Sequence, residues 1–66
     1  MVKTFTKKEI AIRLIESYIG DIKEFRDSTS VDRYDGAVHM AMMAGLITAT
    51  ERKKFDKEVN NIMYAD

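Results

Sequence analysis

The segment GAVHMAMMAGLI, residues 36–47, is the feature that most constrains how this 66-residue chain can fold. Between Ala37 and Ala44 the segment has a single polar side chain, that of His39. A helix on the surface of a small protein normally keeps one polar side. Two neighbouring helices of the same chain can cover only about half of the circumference of a third. We therefore expect part of this segment to be covered by something outside the chain.

The length of the chain strengthens this expectation. Ordering a residue costs about 1.5 kcal/mol, and a chain this short buries little apolar surface to offset that cost. The sequence has no cysteine, which excludes disulfide bonds and thiolate metal sites, and no proline to interrupt its helices. Regular helix packing and self-association are the sources of stability that remain.

The charge balance argues against several classes of partner. The chain has 11 basic and 11 acidic residues, whereas proteins that bind nucleic acids or membranes through charge carry an excess of Lys and Arg. No segment reaches the length of about 18 apolar residues that a membrane span needs, and MVKTFTKKEI lacks the apolar run of a signal peptide. We expect a cytoplasmic protein that does not bind a membrane.

Helix start and stop signals predict three helices. Thr6 with Glu9, and Thr48 with Glu51, have the spacing of a capping box, in which each side chain accepts a hydrogen bond from the backbone of the other. Gly45 is typical of the left-handed residue that ends a helix. The predicted fold is an all-α three-helix bundle with helices at about 7–26, 33–44 and 49–64, completed by self-association.

The start of the second helix stays open between several residues. The preceding segment, RDSTSVD at 26–32, is rich in turn and cap formers. Four of its side chains are candidates for the helix cap: Ser28, Thr29, Ser30 and Asp32.

A helical wheel separates two sides of the second helix. One side carries the residues expected in the intrachain core: Tyr34, Val38, Ala41 and Gly45. The opposite side carries Gly36, Met40 and Met43, and methionine adapts well to irregular apolar surfaces. The predicted interface with a second copy or another partner is wider and comprises Val38, His39, Met40, Met42, Met43 and Leu46.

The other two helices differ in the width of their apolar faces. Apolar residues between Ile10 and Phe25 cover an arc of roughly 200°, so the first helix is expected to contact two neighbours. The third helix has only a narrow stripe, formed by Phe55, Val59, Ile62 and Met63.

No catalytic, cofactor-binding or metal-ligating residue is predicted. His39 is the only histidine, and a metal ion would need more nitrogen, sulfur or carboxylate ligands beside it. We interpret His39 as a residue at the polar edge of an interface. The chain also has no glycine-rich phosphate loop and no acid and base that spacing brings together, which argues against an enzyme.

A basic group near the start of the third helix allows two interpretations. Its members are Arg52, Lys53, Lys54 and Lys57. In a helix-turn-helix protein such residues contact DNA phosphates and base edges. Acidic residues interrupt the group, however, and a charged outer face of an amphipathic helix has the same composition. It is a candidate contact for nucleic acid or for an acidic partner.

Residues 43–63, MAGLITATERKKFDKEVNNIM, resemble the short C-terminal domain called SHOCT. The residues that match the pattern of that helical hairpin are Gly45, Leu46, Ile47, Thr48, Glu51, Phe55 and Ile62. The usual final lysine-leucine-leucine is absent, and NNIMYAD stands in its place. The resemblance covers about a third of the chain; it implies a role in oligomerisation and no catalytic residue.

The sequence favours a non-enzymatic interaction module that self-associates and binds another protein. In size and style it resembles the small accessory proteins of phages and mobile elements, many of which regulate or inhibit a host protein. The alternatives are a small helix-turn-helix-like DNA-binding regulator and an oligomer that binds a small anionic ligand such as a nucleotide. The last of these depends on Arg33, Tyr34 and the neighbouring hydroxyl groups.

Overall fold

The computed structural model describes residues 4–64, and in this part of the chain three α-helices account for the fold. Helix α1 spans Lys7–Phe25, α2 spans Ser28–Met43 and α3 spans Ala49–Tyr64. The predicted all-α three-helix bundle is confirmed, and α3 has the predicted bounds.

Helix α1 begins at the predicted capping box. The Glu9 amide donates to Oγ1 of Thr6 at 3.1 Å, and the Thr6 amide donates to Oε1 of Glu9 at 3.1 Å. The helix ends where Arg26 adopts a left-handed conformation with φ of 48°. Its amide still donates to the carbonyl oxygen of Ile22 at 2.8 Å.

The predicted start of α2 is wrong by five residues. Asp27 is the cap, and its Oδ1 accepts a hydrogen bond from the amide of Ser30 at 2.8 Å. None of the four candidate caps therefore has that role: the three hydroxyl residues lie in the first turn of α2, where Ser30 is buried, and Asp32 lies beyond it. Only Arg26 and Asp27 separate α1 from α2, so the two helices form a tight antiparallel hairpin.

The connection between α2 and α3 follows the predicted stop and restart. Gly45 has φ of 72°, its amide donates to Met42 O at 3.0 Å, and the Leu46 amide donates to Ala41 O at 2.9 Å, which is a Schellman motif. Thr48 and Glu51 then form the second capping box, with hydrogen bonds of 2.9 and 3.1 Å.

The core lies where the three helices meet. Helix α1 contacts both α2 and α3, as its wide apolar arc predicts. Lys8 and Glu51 are paired near the first residues of α1 and α3, so these two helices run parallel and α2 runs antiparallel to both. The buried hydrophobic residues are Ile15, Ile19, Ile22, Tyr34, Val38, Ala41, Ile47 and Val59.

Candidate protein-interaction surface

An apolar groove of about 700 Å³ runs between α1 and α2. The wall from α1 consists of Lys7, Ile10, Ala11, Leu14 and Tyr18. The wall from α2 consists of Asp32, Arg33, Gly36, Ala37, Met40 and Ala41, and Ala44 and Leu46 line the groove from the connection that follows α2. Because no residue of α3 lines the groove, it lies on the side of the hairpin that α3 leaves uncovered.

The groove leaves large apolar side chains in contact with water. Ile10 is 56 % exposed, Leu14 is 50 % exposed and Met40 is 68 % exposed. Isoleucine, leucine and methionine are among the residues most often buried in folded proteins. A contiguous apolar surface with a few charged residues at its rim is typical of a site that binds another protein.

The sequence predicts the α2 wall of this groove but not the α1 wall. The Gly36 and Met40 side of α2 was predicted to be left uncovered by the chain, and both residues are exposed in the groove. Ile10 and Leu14 were not assigned to an interface. The wide apolar arc of α1 was the available signal, because part of that arc meets neither α2 nor α3.

Three of the six predicted interface residues are buried or half-buried. Val38 is fully buried in the core, so its inclusion in the interface was wrong. The helical wheel places Val38 on the core side of α2, and the structure agrees. Ile47, in the five-residue connection between α2 and α3, and Val59, in α3, belong to the same core. Met42 and Leu46 are half-buried against the core, although Leu46 also lines the groove.

His39 and Met43 lie on the surface of α2 but outside the groove. Both are exposed, and Met43 is 74 % exposed. Together with Asp35 they form a row with the i, i+4 spacing of one helix face. Among residues 4–64, no three His, Cys, Asp or Glu side chains are grouped closely enough to hold a metal ion.

Tyr34 and Asp56 join α2 to α3 beside a smaller cavity of about 270 Å³. The Tyr34 hydroxyl donates a hydrogen bond of 2.7 Å to Oδ1 of Asp56. Burial, together with this hydrogen bond, raises the pKa of Tyr34 well above its usual value. Arg33 lines the large groove while Tyr34 lines the small cavity, so the structure does not bring together the residues considered for an anionic ligand.

The basic group of α3 is divided by its packing. Arg52 is half-buried: its Nε lies 3.6 Å from Oδ2 of Asp56 and its Nη1 lies 3.5 Å from the sulfur of Met42. Lys53, Lys54 and Lys57 are exposed. Three lysines, rather than the predicted four basic residues, are therefore available to a partner on the outer surface of α3.

No helix within residues 4–64 combines the length and apolar character that crossing a bilayer requires. Comparison with models of known protein families finds no match, and comparisons with curated proteins and with solved structures find none either. The resemblance to the SHOCT hairpin stays a prediction from the residues.

Proposed function

We propose that this chain is a non-enzymatic interaction module that associates with itself through the groove between α1 and α2 and binds another protein as a small regulator or inhibitor. The observation that carries the proposal is the exposure of Ile10, Leu14 and Met40 along one continuous groove. Each of these side chains gains about 1–3 kcal/mol when it is transferred fully from water to an apolar contact. Such a gain is large for a chain this short.

In this proposal the groove binds a second copy of the chain and the outer surface of α3 binds the other protein. An assembly joined through the groove keeps α3 on its outer side, because α3 packs on the other face of the hairpin. The outer surface of α3 carries Lys53, Lys54 and Lys57, and these side chains suit an acidic protein partner.

Photo-crosslinking from two positions tests this division. A benzophenone amino acid at Met40 should give an adduct of about 15 kDa, twice the 7.6 kDa of the chain, while the same group at Lys57 should give heavier adducts in the native host. The control is the same group at Glu16, an exposed position outside the groove and α3. A foreign protein in place of the self-adduct at Met40 would contradict self-association through the groove.

DNA binding is a second candidate function, and the exposure of the three lysines of α3 favours it. Phosphate contacts make such binding strongly dependent on salt. Titration of labelled duplex DNA at about 50 mM salt tests the candidate, with a Lys53→Glu, Lys57→Glu double variant as the control. Binding by the parent that the double variant loses would support it, and absence of binding by the parent would remove it.

A further inference from the structure

The exposed side of α3 divides into a central strip and two edges. At about 100° per residue, the strip occupies an arc of roughly 60° on the side of α3 away from the buried Val59. Its members are all exposed: Lys53, Lys57, Asn60 and Tyr64. The side chain of Tyr64 is 80 % exposed, the largest value among the exposed large hydrophobic residues that the structure describes. From end to end the strip measures about 17 Å along the helix axis.

The central strip carries positive charge that its own chain does not compensate. The ion pairs within residues 4–64 use Lys8 and Arg52 as their cations. Neither Lys53 nor Lys57 takes part in one. The strip itself contains no acidic residue, although the chain as a whole has a net charge of zero. The two ammonium groups are therefore open to the carboxylates of a partner.

Carboxylates lie at both edges of the central strip. Asp56 lies at the edge towards α2, where it accepts the hydrogen bond of 2.7 Å from the Tyr34 hydroxyl. Glu58 lies at the opposite edge and is exposed. A helix in the major groove of DNA has its outer face towards the base edges and its two sides towards the phosphates. Because carboxylates on both sides would repel those phosphates, the strip favours an acidic partner narrower than a duplex.

From this arrangement we infer that the central strip binds an acidic amphipathic α-helix of the partner protein. The inference rests on the proposed function and names the surface that the partner presents. Lys53 and Lys57 are four residues apart, and glutamates four residues apart on a facing helix have the same spacing of about 6 Å along the axis. Two packed helices touch along one narrow line of side chains, so the partner helix can lie on the strip without burying the carboxylates at its edges.

Tyr64 supplies an apolar contact at the far end of the central strip. Tyrosine is enriched among the residues that contribute most to protein interfaces, because its ring is apolar and its hydroxyl can still form a hydrogen bond. Tyr64 lies about two helical turns beyond Lys57. The partner helix therefore needs two glutamates four residues apart and an apolar side chain about two turns from the glutamate that faces Lys57.

A designed peptide tests the inference. The probe has this pattern of glutamates and a leucine in about 20 residues, a length that can form an isolated helix. Titrated into the isotope-labelled chain, it should shift the NMR signals of the central strip and leave those of the groove in place. The double variant Lys53→Glu, Lys57→Glu should bind it about tenfold more weakly and should instead bind a peptide with lysines in place of the glutamates. Lys23→Glu, the same change at an exposed position of α1, is the matched control and should leave the affinity unchanged.

Tyr64→Ala measures the apolar contact independently. It should weaken the binding of the leucine peptide and leave unchanged the binding of a peptide with alanine in place of the leucine, since that peptide lacks the contact already. Equal losses of affinity for both peptides would contradict the position of the apolar contact. Circular dichroism should show the parent helix content for every variant.

The results separate this inference from the proposed function. A peptide that leaves the signals of the central strip unchanged, or that binds the double variant as tightly as the parent, would overturn the inference. A DNA duplex that shifts those signals in its place would overturn it in favour of the second candidate function. If a host protein is nevertheless crosslinked at Lys57, the proposed binding of another protein stands. A parent that stays monomeric at all concentrations would overturn self-association alone, because the central strip lies outside the groove.

Discussion

The ammonium group of Lys8 lies 2.8 Å from Oε1 of Glu51, and the same carboxylate oxygen accepts a hydrogen bond of 2.9 Å from the amide of Thr48. One oxygen atom thus caps α3 and attaches its first turn to the first turn of α1. The hydrogen bond from Lys8 lowers the pKa of Glu51 below its usual value. This contact joins the first turns of α1 and α3 at the end of the bundle where Lys7 lines the groove.

Substitution of Glu51 separates the cap from the ion pair. Glu51→Gln keeps an oxygen that can accept from Thr48 but removes the charge that Lys8 faces, whereas Glu51→Ala removes both. Because exposed ion pairs contribute little, we expect Glu51→Gln to lower the melting midpoint less than Glu51→Ala does. Thermal unfolding followed by circular dichroism measures the difference. Equal losses for the two variants would show that the ion pair, rather than the cap, stabilises this end of the bundle.

Val38→Glu should unfold the chain at every concentration. Val38 is fully buried, and an unpaired carboxylate in that position costs several kcal/mol, which is comparable with the whole stability of a small domain. Met43→Glu is the matched control on the same helix, because Met43 is exposed and lies outside the groove. Helix content measured by circular dichroism checks both variants. A folded Val38→Glu chain would mean that the core is packed differently.

Tyr34 should make the fold sensitive to alkaline pH. Its pKa is raised in the folded state, so the stabilisation is fully present below the pKa of about 10 of an unfolded tyrosine and is lost as the pH rises above it. Tyr34→Phe should cost about 1 kcal/mol at neutral pH, because the hydrogen bond to Asp56 is lost. Denaturant titrations at pH 7 and above pH 10 test this expectation. The decrease in the free energy of unfolding from pH 7 to the higher pH should be smaller in Tyr34→Phe than in the parent.

Asp27 should make the stability of the fold sensitive to acidic pH. The hydrogen bonds from Ser30 lower the pKa of Asp27 below its ordinary value of 3.8, so its contribution is present above that pH and is lost as the pH falls below it. Asparagine also caps helices but does not titrate in this range. Asp27→Asn should therefore lose less stability than the parent between pH 7 and about pH 3. An identical loss would show that Asp27 does not act through its charge.

The bounds of α3 could be predicted because its start is marked locally. The Thr48 and Glu51 pair depends only on a three-residue spacing, and Gly45 marks the end of the preceding helix without reference to the rest of the fold. The start of α2 could not be predicted in the same way. Several neighbouring side chains can cap a helix, and the local pattern does not select among them. In the structure the cap is Asp27, which directly follows Arg26, the left-handed residue that ends α1.

The groove was predictable from one side only. The apolar pattern of residues 36–47 indicates that α2 has more apolar surface than two helices can cover, and the exposure of Met40 agrees with this. The position of Ile10 and Leu14 in the opposite wall depends on how the hairpin of α1 and α2 packs, which is a tertiary property. The division of the basic group likewise depends on Asp56 and Met42, which hold Arg52 against the bundle.

The burial of the groove by a second copy is tested most directly by sedimentation equilibrium of the parent over micromolar concentrations, beside Met40→Glu and Met40→Leu. We predict a species of about 15 kDa for the parent and for Met40→Leu, and a shift of Met40→Glu to the 7.6 kDa monomer, since a charge at Met40 would enter an apolar contact. A parent protein that sediments as 7.6 kDa at every concentration would contradict the account.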